Sequence, residues 1–340
     1  MAADLPLTCL PAILRSEDDP LDILFGIPLL GDCARNLGEC GNALAIGLAN
    51  GLIIALIAMG YTLVYGILKL INFANGDIFM LGTVLTFFGV GLLGLNEQSA
   101  PLTVFLGLLA ILIVIMVITA GLNASIERVA YRPLRNAPSL ATLISAIGMS
   151  FVLQNVGQIL LGPSPKSLPK LLSTEPVLQF GTVTITFSMV FVAAVTIPLL
   201  VGLVWFVKNT KQGKAMRATS QDRGAAGLMG IDVNRTISTT FLLAGALAGG
   251  AGLVVALYLG NAWWFFGFPF GLLAFTAAVF GGIGNITGAA LGGILLGLVK
   301  AMMDRYSDPR WTDVVVFSIL VLVLVLRPTG LMGARQAEGS

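Results

Sequence analysis

From residue 43 onward the chain is a succession of long apolar runs separated by short polar breaks. The runs neither alternate like a half-buried strand nor carry the one-sided stripe of a helix packed on a water-facing globule. Most reach the roughly 20 residues that a helix needs to cross a bilayer. Membrane-embedded segments are expected over residues 43–68, 78–95, 102–124, 140–161, 184–207, 237–259, 271–303 and 314–326. The seventh is too long for one crossing, and Gly281, Gly282, Gly284 and Asn285 interrupt it. That interruption is read as a helix break, giving a re-entrant hairpin or two short helices. The eighth is short and ends at Arg327-Pro328. Residues 1–42 differ, with Glu17, Asp18, Asp19, Asp22, Asp32 and Glu39 among several prolines. They form a polar extension without the basic start and long apolar core of a secretory signal. The transmembrane unit is placed at 43–333 and a polar tail at 334–340.

Composition changes this picture only by strengthening it. Hydrophobic residues make up 56% of the 340, charged residues 11%, and the mean hydropathy is +0.93. A soluble domain needs roughly 25% charged residues to cover its surface, so most of this surface faces lipid. Backbone groups in lipid must be paired internally, which leaves helices or a closed barrel, and unbroken apolar runs select helices. The fold class is therefore an all-α polytopic membrane protein with about eight transmembrane segments and one or two broken or re-entrant helices. Forty-one glycines fit close packing between membrane helices. The net charge of +2 gives no reason to expect nucleic acid. Histidine is absent, which removes His metal sites, His-based triads and His proton relays. Cys9, Cys33 and Cys40 have no Cys-x-x-Cys spacing, and three unpaired thiols are expected ahead of a Cys33–Cys40 disulfide.

Positive charge orients the bundle. Residues 208–235 carry six Lys/Arg and residues 127–135 three, so both connections are placed in the cytoplasm with Lys69, Arg327 and Arg335. Trp263, Trp264, Phe265 and Phe266 suit the opposite interface, and the N-terminal extension falls outside. Lys300, Arg305 and Arg310 run against the rule by falling on the external side.

Ionisable groups within the spans are functional suspects, because burying a charge in hydrocarbon is costly. Only Lys69 and Asp77 qualify, bracketing a polar break that holds Asn72 and Asn75. Asn72, Asn75 and Asp77 are candidate translocation-pathway residues on a broken helix. The competing reading is a tight turn, with Asn75 or Asp77 capping a helix that starts near Ile78. The second interruption, 281–287, fits either a binding path between repeats or plain close packing. In the 208–235 connection, Ala225, Ala226, Leu228 and Met229 form a small apolar helix face stopped by Gly230. Such a helix can dock into a groove on a soluble partner, lie on the lipid surface, or serve as a topology anchor.

The runs GYTLVYGILKLINFANGD at 60–77 and ERVAYRPLR at 127–135 resemble the LivH family, membrane permeases of branched-chain amino acid ABC importers. The loop at 213–232, the stretch at 281–293 and RPTGL at 327–331 are similar too, so the resemblance covers roughly residues 43–333. It implies that the loop is the coupling loop that such permeases insert into ATPase subunits. Ala225, Ala226, Gly227 and Leu228 would then sit at the contact, with Arg217, Asp222 and Arg223 around it. The implied machine has two cytoplasmic ATPase subunits, a second homologous permease and an extracytoplasmic solute-binding protein, set in lipid of a prokaryotic cytoplasmic membrane. The chain has no Gly-x-x-x-x-Gly-Lys-Ser/Thr loop, so it is expected to be no enzyme and to need no cofactor. Family members commonly carry histidine where this chain has Asn75; an amide keeps the hydrogen-bonding capacity but cannot titrate. Three rivals remain in view. The same machinery could import urea or short-chain amides. An ion-coupled secondary transporter needs embedded carboxylates that are scarce here. A passive channel leaves the 208–235 connection without a purpose.

Overall fold

The computed structural model describes residues 37–69, 72–135, 137–172, 176–180, 183–307, 309–327 and 329–333. Nearly all of the acidic extension and the polar tail, with Cys9, Cys33 and Arg335, lie outside the described residues. The helices are α1 Leu37–Leu68, α2 Ala74–Leu92, α3 Pro101–Ile126, α4 Ser139–Leu161, α5 Phe187–Asn209, α6 Lys211–Gln221, α7 Arg223–Leu228, α8 Val233–Leu259, α9 Gly267–Gly281, α10 Ile286–Tyr306 and α11 Thr312–Leu326. A π-helical turn, Glu127–Tyr131, extends α3, and a 3-10 turn, Pro309–Trp311, precedes α11. Among the described residues, eight helical stretches are long and apolar enough to cross a membrane, and α9 is a shorter apolar helix. The long seventh segment is thus two helices of 15 and 21 residues.

The arrangement follows lipid rather than water. Helix α3 is the most apolar, with a mean hydropathy of 3.0 in its best window, yet only 22% of that window is buried. In α1 and α8 the values are 2.2 and 2.1, with 72% buried. Bulky aliphatic side chains face outward where the solvent is hydrocarbon, and small residues fill the centre, where helices gain by touching backbone to backbone. Between α1 and α10, a Cβ on Gly293 would stand 2.4 Å from the Ala55 Cα, and one on Gly297 would stand 2.2 Å from the Gly51 Cα. The two helices run antiparallel in that seam.

Two antiparallel ladders, absent from the sequence expectation, lie beyond the helix ends. β1 Lys166–Ser167 pairs with β4 Asn261–Ala262 in the register Lys166 to Ala262. β2 Pro176–Phe180 pairs with β3 Val183–Thr186. The second ladder is tied to the start of α1, where Asn42 Oδ1 accepts from the Thr184 N–H at 2.7 Å. Helix α1 begins at Leu37, earlier than the expected residue 43. Cys40 is disulfide-bonded, which corrects the expectation of three unpaired thiols. Helix α2 begins at Ala74 rather than Ile78, so Asn75 and Asp77 belong to its first turn.

Replacing Gly293 by leucine should prevent the α1–α10 approach and cost the overpacking penalty of about 1–3 kcal/mol or more. Gly202→Leu, at a position with nothing within 4 Å of its Cβ direction, should be neutral. Thermal unfolding of the detergent-purified variants distinguishes the two; equal melting temperatures would contradict this account of the seam.

Candidate functional site

The start of α2 gathers buried polar side chains. Asn72, Asn75 and Asp77 are 3%, 0% and 1% exposed, so the three pathway candidates are brought together and closed off from solvent. Phe73 precedes α2 and offers no side-chain cap, so neither Asn75 nor Asp77 caps the helix. This corrects the tight-turn alternative.

Helix α9 explains why Asp77 is tolerated there. Its N-terminus is also without a side-chain cap, and a Cβ on Gly267 would lie 2.5 Å from Asp77 Oδ1. Two helix N-termini, each carrying positive partial charge, therefore meet at one carboxylate. Ser150 on α4 donates to Asp77 Oδ2, and Gln154 donates to the Ser150 hydroxyl at 3.2 Å. Glycines make this convergence possible. A Cβ on Gly76 would stand 2.5 Å from the Gly267 carbonyl oxygen and 3.1 Å from the Tyr61 hydroxyl.

Helix α9 reaches this depth because the chain leaves α8 at Gly260, in the left-handed region, and returns without helix. Non-helical backbone inside a membrane protein has to be enclosed by protein. Here the β1–β4 ladder, the Leu168 N–H donating to the Gly260 carbonyl at 2.9 Å, and the Trp264 indole donating to the Pro163 carbonyl at 3.0 Å supply the enclosure. Trp263 packs on Phe265 and Phe266, with ring centroids 5.3 and 5.9 Å away.

Around Asp77 several buried atoms have no hydrogen-bond partner among the described residues. They are Thr62 Oγ1, Asn72 Nδ2, both amide atoms of Asn75, and Asp77 Oδ1. Each such atom costs about 1–3 kcal/mol. Asn72 is held on one side only, by the Tyr131 hydroxyl donating to its Oδ1 at 2.6 Å.

Sequence reasoning passed over a second polar group. Glu127 is fully buried and receives Arg135 as an ion pair. It also accepts from the Ser238 hydroxyl at 2.7 Å, while Arg135 donates to Asn234 Oδ1. This ties the end of α3 to the start of α8. The signal was present, since Glu127 closes an apolar run of 26 residues, but nothing local showed that it turns inward.

The coupling-loop candidates separate by role. Arg217 donates to the Val207 and Lys208 carbonyls and closes the end of α5. Asp222 caps α7 by accepting from the Gly224 and Ala225 N–H groups at 2.7 and 3.0 Å. Arg223 donates to the Ile67 carbonyl in the last turn of α1 at 2.8 Å. Burial first, and the Arg135 charge second, lower the Arg223 pKa from its ordinary value. Ala226 turns inward, whereas Ala225 and Gly227 are exposed. Leu228 and Met229 are the outermost, at 91% and 83% exposed. Met229, outside the named contact set, thus shares the tip with Leu228.

At the helix break, Gly281 ends α9, and Gly282 and Gly284 take φ of +109° and +93°. Asn285 caps α10 through the Thr287 and Gly288 N–H groups, and its amide donates to the Met332 carbonyl at 2.8 Å. The chain after α11 closes on this break, with the Leu331 and Met332 N–H groups bonded to the Phe280 and Gly281 carbonyls. Among the described residues no group of His, Cys, Asp and Glu could hold a metal ion.

Spanning-length helices, with a shorter apolar helix that starts at a buried polar seam, describe a multi-pass membrane protein. Residues 43–324 match the family model described as branched-chain amino acid transport system / permease component, and the chain belongs to that family. It is 40% identical over 296 residues to the high-affinity branched-chain amino acid transport system permease protein BraD of Pseudomonas aeruginosa, covering 86% of this chain and 95% of that one. The LivH permease of Escherichia coli K12 is 38% identical with the same coverage. A probable branched-chain amino acid transport permease LivH of Methanocaldococcus jannaschii is 27% identical, covering 83% of this chain and 89% of the relative. No solved structure matches. The chain is thus a multi-pass permease subunit of the bacterial inner membrane and part of a transporter complex.

Removing Glu127 or Arg135 alone leaves a buried charge unpaired, and each alanine variant should lose about 3–5 kcal/mol. The double variant should lose clearly less than the sum. A thermal-unfolding double-mutant cycle measures this coupling, and strict additivity would show that the pair contributes nothing specific.

Proposed function

We propose that this chain is one of two permeases in an ATP-driven importer of branched-chain and other neutral amino acids. Two cytoplasmic ATPase subunits would supply the energy, and an extracytoplasmic solute-binding protein would deliver the cargo. The cargo follows the relatives, which are branched-chain amino acid permeases at 38–40% identity over most of the chain.

The observation that carries the mechanism is the geometry of α7. Its first residue, Arg223, grips the Ile67 carbonyl of α1, and its other end presents Leu228 and Met229 to solvent. An ATPase that seats these two side chains in a groove gains leverage on the end of α1, next to the break that leads to Asn72. Lys69, Arg135 and the 208–235 connection share that end, which supports a cytoplasmic placement. The disulfide at Cys40, at the far end of α1, suits an oxidising exterior.

In this reading Asn72, Asn75 and Asp77 line the path. They close against α9 in the state described, and movement of α1 relative to α9 exposes their unpaired atoms to the cargo. Neutral amides bind a zwitterion weakly enough for release.

The test is energy-dependent uptake of labelled leucine with and without this protein, with valine and urea as competitors. Uptake should fall on deletion and be competed by valine, not by urea; competition by urea alone would transfer the cargo to the amide class. Leu228→Asp should abolish uptake while the permease stays in the membrane. Undiminished uptake in that variant would remove α7 from the ATPase contact.

A further inference from the structure

A groove of about 520 Å³ opens between α5 and α10 at the basic end of the bundle, floored by Met59 of α1. Leu200, Val201, Val204 and Trp205 form one wall, and Ala290 and Leu291 the other. Lys208, Asn209 and Thr287 stand at its mouth. The walls are apolar and outward-facing: Val201, Trp205 and Leu291 are 61%, 60% and 47% exposed. The volume is comparable to that of one long fatty-acyl chain.

The charge at the mouth is one-sided. Lys208 is exposed, and Lys211 and Lys214 follow on α6, also exposed. No acidic residue occurs between Trp205 and Gln221, and α10 has none before Asp304. None of the three lysines forms an ion pair among the described residues. Trp205 lies one turn from Lys208 on α5, as an indole does when its ring marks the level of lipid headgroups. A protein surface covering this groove would have to neutralise Lys208 at its mouth, with Lys211 and Lys214 following on α6. An acyl chain with an anionic headgroup satisfies both halves at once, with methylenes on the aliphatic walls and phosphate oxygens beside the Lys208 ammonium and the Asn209 amide.

We propose that the α5–α10 groove is a binding site for one anionic phospholipid, with its phosphate held at Lys208 and a fatty-acyl chain laid along Val201, Trp205 and Leu291. A lipid seated there rests against α1 through Met59 and borders α10 just beyond the Asn285 cap, so it fills the gap between two helices that the fold itself leaves apart.

The test uses the full chain with its partner subunits, reconstituted in vesicles of phosphatidylcholine containing brominated phosphatidylglycerol or brominated phosphatidylcholine. The Trp205 signal is taken as the difference between wild type and Trp205→Phe. Quenching should favour the brominated phosphatidylglycerol by about fivefold in half-maximal lipid fraction, the worth of roughly one lysine at an anionic surface. Lys208→Gln should remove that preference while leaving total quenching intact. Equal quenching by both lipids would reduce the groove to ordinary bilayer contact, and quenching by neither would mean that a protein subunit covers it. Either result overturns the proposal.

Discussion

The structure depends on a single constraint: inside a bilayer no backbone N–H or C=O may go unpaired. The chain meets it with helix wherever it can, and its informative places are the few where helix stops. Each stop is closed by other parts of the protein. The return from α8 is enclosed by the β1–β4 ladder and the Trp264–Pro163 bond. The α9–α10 break is sealed by the chain after α11, whose N–H groups reach the Phe280 and Gly281 carbonyls. The end of α1 receives Arg223 on the Ile67 carbonyl. Breaks in a membrane bundle are thus also its joints, because closing them requires contact between elements far apart in sequence.

The same constraint makes the carboxylate at Asp77 intelligible. The short helix α9 begins without a side-chain cap, and α2 starts beside it equally uncapped. One buried carboxylate lies against both helix starts, with Ser150 donating to one of its oxygens and no partner on the other among the described residues. The neighbouring amide of Asn75 has no hydrogen-bond partner among the described residues, and neither has the buried Nδ2 of Asn72. A bundle that only had to be stable would place apolar residues there, at a gain of about 1–3 kcal/mol for each unpaired group. Retaining polar atoms at that cost fits a seam that opens and closes.

The basic end of the bundle carries the parts that could move that seam. Helix α7 touches α1 through a guanidinium and faces outward through Leu228 and Met229, and Glu127 with Arg135 and Ser238 locks α3 to α8 beside it. The arrangement separates a rigid pair of helices from the end of α1, where backbone strain is already stored in the positive φ of Lys69.

The class of fold, the approximate spans of the membrane helices and the interruption at Gly281–Asn285 were legible along the chain. Those features rest on local chemistry: unbroken apolar runs, two glycines that accept positive φ, and an asparagine that can cap. Family membership was legible for the same reason, since it resides in contiguous runs. The partner of Asp77, the inward turn of Glu127, the roles of Arg217 and Arg223, and the groove beside Trp205 were not legible. Asp77 meets Gly267, nearly two hundred residues further along, and no local periodicity encodes such a meeting. Which helix ends converge emerges from long-range packing alone, because in lipid the positions of those ends are set by the whole bundle rather than by the residues that form them.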